Sequence, residues 1–229
     1  DTTESRGLGD VYKRQLGGSS SINGMIYIRG VPVDFAAWEQ AGAKGWSWEE
    51  VLPYFVKAER QQTHDDGLHG TDGPLHVQDV VDKRPIQETF LDAMEEQGVP
   101  RNDDFNGVDQ AGCGHYQFTQ KNGRRWSTSS AYLNPARGRS NLEIRTKVQT
   151  KRIIFEEKRA VGVETERSGR SETIRARHVI VSCGAIGSPQ LLELSGVGDS
   201  ARLSALGIDI HHHLPDVGEH LQDLSLIHI

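Results

Sequence analysis

The sequence predicts an α/β protein, α+β in overall content, and three observations carry that reading. The first is His178-Val179-Ile180-Val181-Ser182, a nearly continuous β-branched run of the kind buried on both faces of a parallel sheet. The second is the segment directly after it: a small-residue turn at Cys183-Gly184-Ala185, then a helix predicted to start with Ser188 as N-cap and Pro189 at its first position. The third is a pair of Gly/Ser-rich segments far apart in the chain. One is Leu16-Gly17-Gly18-Ser19-Ser20-Ser21-Ile22-Asn23-Gly24-Met25; the other runs from Gly184 through Ile186-Gly187-Ser188 to Ser195-Gly196-Val197-Gly198. At such places backbone amides can approach a bulky charged ligand with no Cβ in the way. A strand, a small-residue turn and a helix N-terminus also place a phosphate at the carboxyl edge of a sheet. Any α/β unit needs a tight turn there, so the second segment alone leaves ligand and simple turn both open.

After the first glycine loop comes an aromatic segment with Phe35, Trp38, Trp46 and Trp48. A helix is expected at Trp48–Glu59: Ser47 is its N-cap, Glu49 and Glu50 sit in the acid-favoured first turn, and Leu52, Phe55 and Val56 share a face. Pro53 falls early in it, where proline is best tolerated. His69-Gly70-Thr71-Asp72-Gly73-Pro74 is a turn leading into Leu75-His76-Val77-Gln78, which alternates like a half-buried strand. Pro85–Gln97 carries Ile86, Phe90, Leu91 and Met94 at helical spacing and stops at Gly98, a C-cap arrangement. His115–Thr119, a turn at Asn122-Gly123 and a polar return to Thr128 read as a hairpin. Leu142–Arg145 and Arg152–Phe155 are expected as short strands. Ala160–Thr165 and Thr173–Ala176, joined through Ser168-Gly169, alternate as in a small β-meander with one wet face.

Composition narrows the function classes. The chain of 229 residues is long enough to bury a real core as one generous domain or two small ones. A formal net charge of −6 gives no basic surface, so no nucleic-acid partner is expected. The hydrophobic fraction of 35% is low for a compact domain, which points to long polar loops or to core partners outside this sequence. Cys113 and Cys183 lie far apart and form no CxxC pair; reduced, buried thiols are the expectation, and no metal centre is. No run of roughly 18 apolar residues exists, so no transmembrane segment is expected. With few cysteines and no signal pattern, the expected location is the cytoplasm, with membrane association open for a longer parent enzyme. Residues 1–15 and 224–229 lack periodicity and read as non-native ends: Asp10–Gln15 and Leu224–Ile229 resemble translated adaptor sequence.

Leu16–Arg29 resembles the first signature of the glucose–methanol–choline (GMC) family of FAD-dependent oxidoreductases, and Gly184–Gly198 resembles the second. Between them Phe35-Ala36-Ala37-Trp38, Gly45-Trp46-Ser47-Trp48, Leu52-Pro53-Tyr54-Phe55, His69–Leu75, Asp104–Gly107 and Gly123-Arg124-Arg125 also look like the family. Asn23-Gly24-Met25-Ile26-Tyr27-Ile28-Arg29-Gly30 is closest in wording to choline-dehydrogenase-like members. The resemblance implies a partial FAD-binding Rossmann-like domain with an inserted antiparallel-sheet substrate domain, lacking the first βαβ unit. It implies 16–62 as FAD-binding segment and lid, 63–140 as substrate-domain segment and 141–223 as FAD-binding continuation. Gly17, Gly18, Ser19 and Ser20 would pass the pyrophosphate and ribityl chain of FAD. Asn23, Gly24, Met25 and Ile26 would lie along the isoalloxazine ring, where backbone amides stabilise charge on the reduced flavin. Val148 would meet the adenine side through its main chain, and Gly184 and Ala185 would line the ADP moiety.

The implied reaction is hydride transfer from a primary alcohol to flavin N5, with a quinone-like acceptor or oxygen taking the electrons. A non-redox lyase that keeps FAD as structure is the sibling reading; a catalytically inactive, poorly soluble fragment is the reading of another class. The family's G-x-G-x-x-G unit and its histidine base both fall outside this sequence, so no catalytic residue is assigned among its ten histidines. His69 and His115 read as turn and hairpin residues. His211-His212-His213 reads as a solvated loop, because consecutive residues of an extended segment point to alternate sides. His220 falls in a loop the family places near the flavin, without a direct role. Arg124 and Arg125 read as a surface hairpin. Trp38, Trp46 and Trp48 read as core and lid packing rather than as a cage for a quaternary ammonium.

Overall fold

The computed structural model describes residues 15–64 and 66–221, which divide into two units, one reaching to Leu142 and one starting at Glu143. The predicted non-native segments fall largely outside the described residues.

In the first unit, a 3₁₀ turn at Gly18–Ser21 precedes strand β1 (Ile26–Tyr27), helix α1 (Pro32–Gln40) and helix α2 (Trp48–Ala58). The sequence reading missed α1. It starts at Pro32, whose fixed φ suits a first helical position, and Asp34 accepts the Val31 N–H at 3.0 Å. Helix α2 begins as expected: the Glu50 N–H reaches Ser47 Oγ at 3.4 Å and the Ser47 N–H reaches Glu50 Oε2 at 3.3 Å, a reciprocal cap. Both helices converge on Phe35, which is buried and holds Trp38, Trp48 and Phe55 at ring-centroid distances of 5.4, 5.6 and 5.9 Å. These tilted and edge-on contacts are the favoured aromatic geometry, and here the tryptophans pack on one another and on Phe35.

Four short strands then form a ribbon. Strand β2 (Glu59–Arg60) lies parallel to β3 (Leu75–His76), Gln78 bridges Phe118, and β4 (Gln117–Phe118) lies antiparallel to β1. Helix α3 (Pro85–Glu96) ends with Gly98 at φ +86°, as its sequence pattern required. It buries Leu91, while Ile86 and Phe90 stay exposed. The Asn122-Gly123 turn joins β5 (Gln120–Lys121) to β6 (Arg124–Arg125), with both turn residues at positive φ as the tight hairpin demands. Gln117-Phe118, expected in that hairpin, pairs with Ile26-Tyr27 instead. A π-helical turn, Ser129–Leu133, comes next.

The second unit is built on the predicted meander: β7 (Gln149–Glu156), β8 (Arg159–Arg167) and β9 (Arg170–Arg175), all antiparallel. Leu142–Arg145 has no strand pairing and is a correction. So is His178–Ser182: no strand forms, and Ile180 is 88% exposed. A β-branched run becomes a strand only where another backbone completes its hydrogen bonds, and none does so among the described residues. Helix α4 (Gly184–Leu194) starts five residues earlier than predicted, placing Pro189 inside it; Ser188 Oγ accepts the Cys183 N–H at 3.0 Å. Cys183 is exposed, against expectation, whereas Cys113 is buried. Ser195 ties α4 to the sheet: its Oγ donates to Leu191 O at 2.5 Å and accepts the Ile153 N–H at 2.8 Å. The chain closes with a small parallel crossover, β10 (Val197–Gly198), α5 (Ser200–Ala205) and β11 (His212–His213), around the fully buried Leu203.

The tightest backbone approach is the His69–Pro74 turn against the end of α2. A Cβ on Gly70 would stand 1.8 Å from Val56 O, and one on Gly73 would stand 2.3 Å from the Ala58 carbonyl carbon. Gly73→Ala should therefore destabilise the protein by about 3 kcal/mol in chemical denaturation, whereas Gly138→Ala, with open space around it, should stay within about 0.5 kcal/mol. Equal midpoints for the two variants would contradict this packing.

Candidate functional site

The first Gly/Ser segment is held along its length by side chains distant in sequence. Gly17 and Gly18 have φ of +95° and +54°, left-handed values that glycine adopts without steric cost. Ser20 Oγ donates to Gly17 O at 2.5 Å and accepts the Thr128 N–H at 3.0 Å, and Thr128 Oγ1 donates to Gly17 O at 3.2 Å. Arg125 reaches the other end of the turn. Its Nη1 donates to Ser20 O at 3.1 Å and Asn23 Oδ1 at 2.8 Å, and its Nη2 donates to Asn23 O at 2.7 Å. The hairpin reading of Arg124 and Arg125 holds, but Arg125 is half-buried and its guanidinium is engaged with the loop and not free at the surface. Its sequence neighbours gave no hint, because its partners lie 102 to 105 residues earlier.

Met25 is a non-glycine residue at φ +63°. Its N–H donates to Asn23 Oδ1 at 3.1 Å, and its carbonyl accepts from Thr119 N at 2.8 Å and Thr119 Oγ1 at 3.2 Å. Such strained conformations persist where the surroundings over-determine them, and they cluster at functional sites. A Cβ placed on Gly18 or Gly24 would meet nothing within 4 Å. The loop therefore presents open backbone on a fixed frame, with Ile22 and Ile26 exposed beside it.

Beyond β1 the same segment enters a buried charge network that the sequence reading missed. Arg29 donates through Nη2 to Glu59 Oε2 at 2.5 Å and through Nη1 to Leu68 O at 2.7 Å, while its backbone N–H donates to Asn106 Oδ1 at 2.7 Å. Asn106 Nδ2 in turn donates to Tyr27 O at 3.1 Å. Glu59 is fully buried and also accepts the Gly70 N–H at 3.1 Å. His69, expected as a turn residue, is buried with Nδ1 3.2 Å from Glu59 and Nε2 2.9 Å from Asp104 Oδ2. Ionised carboxylates only accept, so both ring nitrogens are placed to donate and the geometry favours the imidazolium form. Two cations and two anions then balance. Burial pushes the His69 pKa down, but the hydrogen bonds to Glu59 and Asp104 outweigh it and the net direction is up. Burial likewise holds the Tyr27 phenol up, against the lowering effect of Arg29.

Asp66, His69 and Asp104 lie near enough together to suggest a cation site, but both nitrogens of His69 already face the carboxylates of Glu59 and Asp104. His115 Nε2 pairs with Glu88 at 2.8 Å. Burial lowers the pKa of His76, whose ring meets Trp126 edge-on at 5.1 Å.

The remaining predicted site residues belong to the second unit. Val148 is half-buried at the start of β7 and lines a recess of about 540 Å³ with Ile144, Thr146 and Thr165. Arg145 spans that recess from Glu143 to Glu172 at 2.6 and 3.0 Å. Gly184, at φ +86° with open space around it, and exposed Ala185 form the first turn of α4. The histidine run is exposed, as expected, but is not all loop: His211 stacks on Phe155 at 4.1 Å, His212 and His213 pair with β10 as a short strand, and His213 Nδ1 lies 2.9 Å from Ser200 Oγ. His220 is exposed, 3.3 Å from Asp216.

The chain is thus a mixed α/β protein with open glycine backbone at Gly18 and Gly24 in the first unit and at Gly184 in the second. Comparison with known proteins is more specific. The GMC oxidoreductase family model matches residues 11–225, and the chain belongs to that family. It is 49% identical over 209 residues to the oxygen-dependent choline dehydrogenase of Sinorhizobium fredii (strain NBRC 101917 / NGR234), covering 91% of this chain and 38% of the relative. It is 45% identical over 214 residues to an alcohol dehydrogenase (acceptor) of Pseudomonas putida, covering 92% and 39%. Among solved structures, pyridoxine 4-oxidase from Mesorbium loti superposes with a TM-score of 0.82 at 33% identity, over 87% of this chain and 40% of the other. The chain thus spans about two fifths of the length of the curated relatives it matches. Among the described residues no helix is long and apolar enough to cross a membrane.

The raised pKa of His69 gives a pH signature. The stability that its charge contributes should be fully present below its unfolded pKa of about 6.5 and lost as pH rises through the higher folded value. Thermal unfolding of wild type and His69→Gln should therefore differ most near pH 5.5 and converge as the pH is raised. A difference independent of pH between 5.5 and 9 would mean that the ring is not an imidazolium.

Proposed function

We propose that this chain is the cofactor-holding part of an FAD-dependent oxidoreductase acting on the CH–OH group of a small alcohol, choline or a related primary alcohol. The observation that carries the reading is the Gly17–Ile26 loop, in a chain of this family: its backbone is open at Gly18 and Gly24, and its shape is fixed by Thr128, Thr119 and Arg125. The residues present fit the group. Open glycine backbone suits a pyrophosphate, which a Cβ would obstruct, and the exposed Ile22 and Ile26 suit a flat aromatic ring.

Gly17, Gly18, Ser19 and Ser20 would hold the pyrophosphate and ribityl chain, and Asn23, Gly24, Met25 and Ile26 the isoalloxazine. Val148 would hold the adenine side, and Gly184 and Ala185 the ADP moiety. On this assignment 16–62 and 141–223 serve the cofactor and 63–140 the substrate side. Bound FAD would supply the hydride acceptor. What this chain contributes is a preformed backbone surface, with dipoles that need no reorganisation when charge develops on the ring. We assign no proton acceptor here: the nitrogens of His69 are both engaged, His115 is paired with Glu88, and His213 with Ser200. The electron acceptor, quinone-like or oxygen, is left to the rest of the enzyme, which we place in the cytoplasm; the 229 residues alone would not turn over.

The full-length gene product should purify with a flavin absorption spectrum that bleaches anaerobically on adding choline or another primary alcohol. Retained flavin that no alcohol bleaches would favour the lyase reading of the same fold, and a colourless protein that takes up no FAD would defeat both.

A further inference from the structure

We propose that Arg125 is the positioning residue of the flavin-facing loop, its guanidinium fixing the Asn23–Met25 backbone in its receiving shape before the cofactor arrives. The proposal rests on the flavin-binding reading and adds a residue from a different element, the β5–β6 hairpin. Three observations support it. All the acceptors of Arg125 are neutral oxygens of one loop, Ser20 O, Asn23 O and Asn23 Oδ1. Among the described residues no carboxylate pairs with it, so the guanidinium serves the loop and not an ion pair.

The second observation is the double use of Asn23 Oδ1, which accepts both Arg125 Nη1–H and the Met25 N–H. Both partners are donors, so the orientation of the side-chain amide is decided: oxygen inward, Nδ2 away. The third is the strain at Met25, φ +63°, immediately after that contact. Asn23 restrains the Met25 N–H and Thr119 restrains its carbonyl; Arg125 is what holds Asn23. Ser20 O and Asn23 O also lie at the C-terminal end of the 3₁₀ turn, where carbonyls lack helical partners and a cation is favoured. A planar fork can bridge such carbonyls at once, whereas an ammonium is a single point of contact.

Without Arg125 the loop would be ordered only on binding, and the cost of ordering would appear in the affinity for FAD. The test uses the full-length protein, numbered as here, with its FAD removed. Hydrogen exchange of the amides in 17–26 is followed by mass spectrometry, and FAD affinity by quenching of flavin fluorescence. For Arg125→Ala we expect faster exchange in 17–26, unchanged exchange in 149–175, and FAD binding weaker by about tenfold or more, from two or three lost charge-assisted bonds. Arg125→Lys should recover only part of both. Asn23→Ala, at an exposed residue, removes the Oδ1 bonds to Arg125 and to the Met25 N–H but leaves the backbone acceptors Ser20 O and Asn23 O, so the double variant should lose less FAD affinity than the sum of the two single losses, because the singles share the Arg125–Asn23 Oδ1 bond.

Additive losses in the double variant, or unchanged exchange in 17–26 for Arg125→Ala, would overturn the clamp. Should Arg125→Ala lose protection throughout, the Asn23→Ala measurements decide on their own. Wild type that binds FAD, with Arg125→Ala binding equally well, would overturn the role of Arg125 and leave the cofactor reading intact. Wild type that takes up no FAD despite a protected loop would overturn the cofactor reading and the positioning role with it.

Discussion

The first unit depends on one constraint, the charge quartet of buried Arg29, Glu59 and His69 with half-buried Asp104. Burying charge is costly unless every charge is paired and every polar atom bonded. Here Glu59, with no exposed surface, receives Arg29, His69 and the Gly70 amide, and His69 passes the contact on to Asp104. That requirement fixes four separate stretches: the end of the first glycine segment, the junction of α2 with β2, the His69–Pro74 turn and the 102–107 loop. Replacing such a network by apolar residues can be neutral, but removing one member leaves a bare buried charge. The need for glycine at 70 and 73 has its origin in the same geometry, since the turn must lie against α2 for His69 to reach Glu59.

From that anchor the candidate loop is a suspended strip. It is fixed at its far end by Arg29 and Asn106, in the middle by Phe118 and Thr119 through β1, and at its near end by Thr128 and Arg125. The consequence is a backbone that can keep a left-handed methionine and open glycine faces without collapsing onto its own side chains. Such preorganisation is what a protein can give a cofactor that carries the difficult chemistry itself. The second unit repeats the logic with other parts: Ser195 pins the C-terminal end of α4, the helix that Gly184 and Ala185 begin, to the meander.

Membership of the GMC oxidoreductase family accounts for the two long glycine signatures occurring in one chain. Exposed apolar side chains, among them Tyr54 on α2 and Ile86 and Phe90 on α3, sit on helices whose patterns ask for a partner. His178–Ser182 makes the point most sharply, because its composition is that of an interior strand while its exposure is that of a loop.

The sequence by itself determined whatever depends on neighbours within a few residues. The Ser47 cap, the Gly98 stop, the Asn122-Gly123 turn and the β8–β9 hairpin are short-range contests between backbone and side chain, and they came out as their residues dictated. The glycine signatures also carried the family and pointed to the candidate loop. What only the tertiary structure decided is which distant residues hold that loop. Arg125 reads as a surface hairpin and His69 as a turn residue until β4 brings the hairpin beside Asn23 and the α2–β2 junction carries Glu59 under the imidazole. The start of α4 and the fate of His178–Ser182 were decided at the same level, because a cap or a strand is settled by whichever hydrogen-bond partner the fold places within reach.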